Sequence, residues 1–267
     1  MISIAIPSSS LINEKDEKLK AYKVGLIARA AVIFRVEKIY IYRDPLLDES
    51  DYIKDILEYL ETPQYLRKSL IPIKDSLKYA GILPPLRIAS HRPKHLKIGE
   101  VRDGVVRKVG PDGTAWVDIG VKALALLRGA KEATKSARVT VRVCSTNPLV
   151  VEEAEPPEYW GYKVEKVELR DVLNEDAVIT SRLGRVPSWE EIKEIAGRQK
   201  ITLIFGSPEE GVQSITRRLG IEIDAEVRNI VWNMIPMQGV ATVRLEEAVY
   251  ASLAIINFVK CSVGGMK

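Results

Sequence analysis

Residues 99–129, GEVRDGVVRKVGPDGTAWVDIGVKALALLRG, are short Val-rich runs broken by turn signals. They stand between two stretches in which strand patterns alternate with helical ones. This interruption constrains the fold most. An alternation of strand and helix builds a layered α/β sheet, whereas several short strands within about 60 residues close on one another as a small barrel or sandwich. The chain is therefore expected to be an α/β domain with a small β domain inserted, divided as 1–85, 86–154 and 155–267.

On the amino-terminal side, ISIAI (2–6) and KIYIY (38–42) are buried-strand patterns. Between them Leu19, Tyr22, Leu26, Ala30 and Ile33 recur at helical spacing, and Ser8–Ser10 offer a turn with capping potential. A helix over 48–61 and a second one in TPQYLRKSL, with Pro63 at its start, follow. ILPPLRIASHRPKH (82–95) has three prolines and no period, and VEEAEPPEYWG (151–161) is acidic and proline-bearing, so both are expected to be linkers. Within the insert the expected strands are 100–109, 114–119, 121–127 and 138–144, with a hairpin turn at Pro111-Asp112-Gly113. Beyond it, KVEKV (163–167), DAVITS (176–181) and ITLIFG (201–206) are strand patterns. SWEEIKEIAGR (188–198) is a helix with a Ser188/Glu191 capping box, and RLEEAVYASLAIINFV is a helix apolar nearly all round.

Charge divides unevenly. Residues 88–145 hold 12 basic and 5 acidic side chains in a chain of net charge +4, which points to a polyanionic partner for the insert, with solvated surface charge as the plain alternative. Trp116 is the one aromatic residue of that stretch, so phosphate contact is better supported than base stacking. No run of about 18 apolar residues suits a membrane span, and the first residues lack the basic leader of a secretory signal. Two cysteines and two histidines, without ligand spacing, argue against a metal site and for a reduced, cytoplasmic setting. His91, in the first linker, is either a surface residue or a substrate contact.

Three strand ends share one theme: ITSRLG with Thr180 and Gly184, IFGSPEEG with Gly206 and Gly211, and NMIPMQGVATVR with Gly239. Ligands of open parallel sheets sit beyond the carboxyl ends of the strands, where glycine lets backbone approach closely. The third loop is unusually apolar, holding Ile235, Pro236, Met237, Val240 and Val243. Together they suggest a small-molecule pocket, although each glycine alone is explained by a turn. Neither a dinucleotide fingerprint nor a P-loop is present.

FGSPEEG followed by NMIPMQGVATVRLEEAVYASLAIIN resembles the C-terminal half of the SPOUT class of S-adenosylmethionine-dependent RNA methyltransferases. The C-terminal segment of that class threads a loop to form a deep trefoil knot, an exception to unknotted topology. LETPQYLRKSLIP, YAGILPPL, RDGVV and ITSRLGR extend the resemblance, in order, to the archaeal and eukaryotic subfamily with an OB-like domain inserted in the methyltransferase domain. The resemblance implies a knotted α/β fold with a mostly parallel sheet, an OB-like β-barrel insert, and S-adenosylmethionine as cofactor. The adenine slot would be walled by Ile235, Met237, Val240 and Ala241, with Gly239 admitting close backbone, Gly206 and Gly211 shaping the neighbouring loop, Thr180 and Ser181 the first, and Thr242 also among the cofactor-binding residues.

If the methylated atom is a uridine N3, its proton must leave and a cation must favour the anion, which makes Arg29, Arg244 and Glu246 the candidate catalytic residues. Arg92, Lys94, Lys97, Arg102, Arg107, Lys108 and Arg128 are the candidate RNA-binding residues of the insert. The expected function is methylation of ribosomal or other structured RNA. The alternatives are an RNA-binding protein that keeps the fold without catalysis, and a protein methyltransferase, against which the basic insert argues. The last helix, with Ala248, Val249, Leu253, Ile255, Ile256 and Val259 on more than one face, is expected at a two-fold dimer interface, as in the resembled family.

Overall fold

The structure is a computed structural model, and it describes residues 1–91, 96–129, 133–223 and 230–263. The elements run β1 (Ile2–Pro7), α1 (Glu17–Ile33), β2 (Lys38–Tyr42), α2 (Ser50–Glu61), α3 (Arg67–Leu70), β3 (Val101–Val109), β4 (Ala115–Asp118), β5 (Ala125–Arg128), β6 (Arg138–Thr146), β7 (Leu149–Glu153), β8 (Lys163–Val167), α4 (Leu169–Val172), β9 (Ala177–Arg185), α5 (Trp189–Gly197), β10 (Ile201–Ile204), α6 (Val212–Arg218), β11 (Val231–Trp232) and α7 (Leu245–Val263). They fall into two compact units, one of residues Met1–Glu58, Ser76–Pro85 and Tyr162–Lys267, the other of Tyr59–Asp75 and Leu86–Gly161.

The first unit is built on a six-stranded sheet in the order β11-β9-β10-β1-β2-β8, and every pairing in it is parallel. β1 and β10 are buried at every position, as mostly apolar strands in the middle of a parallel sheet should be. Ala5, Tyr42, Ile179, Ile204 and Val231 of the sheet share a core with Leu169 and Val172 of α4 and Val212 and Ile215 of α6. α7 packs against α1 and α5. The first long helix starts at Glu17, where the Asp16 carboxylate accepts from the Lys18 and Leu19 amides at 2.7 and 3.1 Å. Ser8–Ser10 do not cap it; they are buried and bond to Asp44 and to the Pro7 and Leu47 carbonyls. α5 carries the expected capping box: Ser188 Oγ accepts from the Glu191 amide and the Glu191 carboxylate accepts from the Ser188 amide.

The second unit contains a closed five-stranded barrel, β3-β4-β5-β7-β6. Alternate residues point inward and fill it with Val106, Val117, Ala125, Leu127, Val141, Val143 and Val151. Its fifth strand, β7, lies partly in the stretch expected as a linker, and it closes the barrel by pairing parallel to β5 and antiparallel to β6. TPQYLRKSL is not one helix but a 3-10 turn, Gln64–Leu66, followed by the single turn α3. Asp103, almost without exposed surface, accepts from Arg138 Nη2 at 2.6 Å, Thr140 Oγ1 at 2.9 Å and Trp160 Nε1 at 2.8 Å. Arg138 also holds Glu61 through both terminal nitrogens. A buried carboxylate needs such donors, since a buried and unpaired charge is costly.

Candidate functional site

In the first unit the carboxyl ends of β9, β10 and β11 surround a cavity of about 420 Å³. Thr180, Ser181, Arg182 and Leu183 line it from β9, Phe205–Gly211 from the loop after β10, and Asn233, Met234 and Ile235 from the loop after β11. Gln238, Thr242 and Val243 continue the wall, and α7 closes it with Leu245, Ala248 and Ser252, one helical face. Gln213 and Ser214 of α6 complete it. The size lies within the range of small-molecule sites, and the lining mixes apolar walls with convergent polar groups, as such sites do.

Local hydrogen bonds hold the walls. Thr180 Oγ1 donates to the Ile204 carbonyl at 3.1 Å, which joins β9 to β10 at the cavity floor. Ser207 Oγ accepts from the Glu209 and Glu210 amides at 3.3 and 2.9 Å and curls the loop. That loop requires glycine at 206, because a Cβ there would lie 2.4 Å from the Glu210 carbonyl oxygen and 2.8 Å from Gly211 Cα. Arg182 Nη1 donates to the Ala241 carbonyl at 2.7 Å, and Asn233 Nδ2 donates to the Arg182 carbonyl at 3.0 Å, so the first and third loops are laced together. The Arg244 amide donates to the Glu247 carboxylate at 2.9 Å, which starts α7 beside the cavity.

Of the residues expected to bind a cofactor, Thr180, Ser181, Gly206, Gly211, Ile235 and Thr242 line the cavity. Met237, Gly239, Val240 and Ala241 are outside its lining. Met237 has φ 55° and is 101% exposed, so the left-handed turn directs its side chain to solvent. Val240 and Ala241 are exposed, and a Cβ at Gly239 would meet nothing within 4 Å. The apolar character of this loop is thus split between a wall (Met234, Ile235, Val243) and open surface. Arg182, Asn233, Glu209 and Glu210 also line the cavity, and the sequence reading missed them; their place after strand-end patterns was the available signal.

The expected catalytic residues are not in the lining. Arg29, on α1, donates to the Pro85 carbonyl at 3.1 Å. Its charge also acts on Tyr250 of α7, whose hydroxyl is nevertheless pushed up by burial. Arg244 is exposed, between the lining residues Val243 and Leu245. Glu246 is buried on the α7 face that carries Val249 and Leu253, about a quarter turn from the lining face.

On the barrel unit, Lys97, Arg107, Lys108 and Arg128 are exposed. Lys108 stands over the Trp116 ring, 5.2 Å from its centroid. Arg102 corrects the sequence reading: it is 4% exposed, bonded to Glu100 at 3.0 Å and to the Ile119 carbonyl at 3.4 Å, and so has no surface to offer a phosphate. Arg92 and Lys94 lie outside the described residues. His91 is no free surface residue; its Nε2 lies 2.6 Å from the Glu61 carbonyl, and burial first, then the Arg67 and Arg138 charges, lower its pKa. Among the described residues no group of three or more His, Cys, Asp or Glu is arranged for a metal ion, and no helix is long and apolar enough to cross a membrane.

Residues 1–256 match the family described as "Putative RNA methyltransferase". An uncharacterized protein of Halobacterium salinarum is 32% identical, over 96% of this chain and 98% of its own. The 28S rRNA (uridine-N(3))-methyltransferase of Drosophila melanogaster is 27% identical over 96% of this chain and 61% of its own length. That of Homo sapiens is 28% identical over 96% and 77%.

Proposed function

The chain belongs to this RNA methyltransferase family, and from that premise we propose that it transfers a methyl group from S-adenosylmethionine to N3 of a uridine in ribosomal RNA. The observation that carries the reading is the 420 Å³ cavity at the carboxyl ends of three parallel strands, continuous with the loop that enters α7. Its donor set fits the cofactor. Phe205, Pro208, Met234, Ile235 and Leu245 offer apolar surface for an adenine, and the peptide groups of 206–211 can read its edge. Glu209 brings negative charge toward the ammonium and sulfonium. When bound there, the cofactor supplies an activated methyl carbon.

The chain then has to place the acceptor and favour loss of its N3 proton. Arg182 is the cation of the lining and Arg244 directly precedes α7, between two lining residues; Glu246 on α7 and Arg29 on α1 are the other candidates. The remaining parts of the reading follow the same family resemblance: the six-stranded unit is a knotted SPOUT methyltransferase domain, and residues 86–154 are an OB-like insert that holds RNA phosphates through Lys97, Arg107, Lys108 and Arg128, with Arg92 and Lys94. The setting of this reading is the cytoplasm, and a homodimer through the α7 region is supported by exposed apolar side chains, Phe258 on α7 and Leu19, Tyr22 and Ile33 on α1. Ile256, by contrast, is 0% exposed and belongs to the core, not to the outer face.

Incubation of the protein with labelled S-adenosylmethionine and unmodified ribosomal RNA tests the reading. Label in the RNA supports transfer. RNA binding with no label favours a protein that keeps the fold without catalysis.

A further inference from the structure

β2 gives no side chain to the cavity, yet two links join its carboxyl end to the cavity wall. Tyr42, its last residue, donates from Oη to the carbonyl of the lining residue Phe205 at 2.6 Å. Asp44, two residues on, is 0% exposed, and its carboxylate accepts from Ser9 Oγ at 2.5 Å, the Leu46 amide at 3.2 Å and Arg218 Nη1 at 2.9 Å. The other terminal nitrogen of Arg218, on α6, pairs with the Glu210 carboxylate. Glu210 lines the cavity and Arg218 does not.

The two halves of this bridge differ in strength. Glu210 and Arg218 are 32% and 27% accessible, and a pair so open to water is worth little by itself. Asp44 is different: a carboxylate without exposed surface is strongly destabilised when it loses its cation. Arg218 is therefore fixed from the sheet side, and its second arm is pre-placed to hold Glu210. The planar guanidinium can serve both carboxylates at once, which a lysine ammonium does less well.

We propose that Arg218 is a positioning residue that transmits the fixed place of Asp44 to the Gly206–Gly211 wall and thereby sets the affinity for the methyl donor. This rests on the cavity being the S-adenosylmethionine site. The link acts before any RNA is bound, so its effect falls on cofactor Kd and KM rather than on turnover at saturating cofactor.

Calorimetry of S-adenosylmethionine binding to the full chain tests it. Arg218→Gln should weaken binding about tenfold, the scale of a broken charge-assisted hydrogen bond. Arg218→Lys should fall between the two, and Glu210→Gln should add little in the Arg218→Gln background, because both act through one link. A residue serving only the fold would lower the melting temperature and leave Kd alone. Wild-type Kd in folded Arg218→Gln overturns the proposal. So do additive effects, which would mean that Arg218 and Glu210 act separately and not through one link. Should Arg218→Gln fail to fold, Arg218→Lys and Glu210→Gln decide by the same readout, wild-type Kd in both being the overturning result. Failure of the wild type to bind the cofactor is a separate outcome and removes the cavity assignment together with the proposal.

Discussion

Gly206→Ala is the smallest change that should displace one wall of the cavity without removing any side chain that lines it. The added Cβ would stand 2.4 Å from the Glu210 carbonyl oxygen, 2.8 Å from Gly211 Cα and 3.1 Å from Gly211 C. All three are backbone atoms of the loop that forms one wall, so no flexible side chain can give way. An ordinary carbon contact needs ~3.5 Å, and the loop must therefore open by about 1 Å at Glu210. Overpacking of that kind costs about 1–3 kcal/mol. If the strain is relieved by moving the wall, cofactor Kd should rise by about 5- to 150-fold. Gly239→Ala is the control, because its Cβ meets nothing within 4 Å. Calorimetric titration of both variants, with circular dichroism melts to establish folding, gives the comparison. Wild-type affinity in Gly206→Ala, or a larger effect in Gly239→Ala, would refute the placement of the wall.

Phe258→Glu, at 69% exposure, should dissociate a dimer in analytical ultracentrifugation with the melting temperature kept, whereas Ile256→Glu should unfold the first unit because it puts a charge in the core. Arg107→Ala and Lys108→Ala should each lower the log–log salt slope of RNA binding by about 0.7–0.9 for every phosphate no longer neutralised, while Arg102→Ala should lower stability and leave the slope unchanged. His91 is held below its ordinary pKa, chiefly by burial, so the unfolded chain takes up its proton first. Its contribution is complete above the unfolded value of about 6.5 and fades as the pH falls toward and through the lower folded value. Urea melts of the wild type should therefore weaken with acidification in that window, and His91→Gln should flatten the dependence.

Elements whose cause is local could be read from the chain. The apolar runs of β1 and β2 and the Ser188/Glu191 box depend on neighbours within a few residues, and the structure has them where the pattern puts them. β7 was hidden because Leu149–Glu153 runs into an acidic, proline-bearing stretch, and only its distant partners β5 and β6 make it a strand. The capping potential of Ser8–Ser10 was not used for the same reason: Ser8 and Ser9 are held by Leu47 and Asp44, 39 and 35 residues away. At the site, the strand-end glycines marked the right region. The side of the loop on which Met237 falls is set by one backbone angle, which residue type does not disclose. Arg102 was misread because composition counts charge and ignores which way a strand residue points; on β3 it points where Glu100 and Ile119 enclose it.

The central claim stands most directly on the nucleoside that the protein makes. Purified protein is incubated with S-adenosylmethionine and unmodified ribosomal RNA, and the RNA is digested and resolved by mass spectrometry against synthetic standards. The expected product is N3-methyluridine with the wild type, and markedly less of it with Gly206→Ala at limiting cofactor. A methyl group on another atom, or none, would contradict the claim.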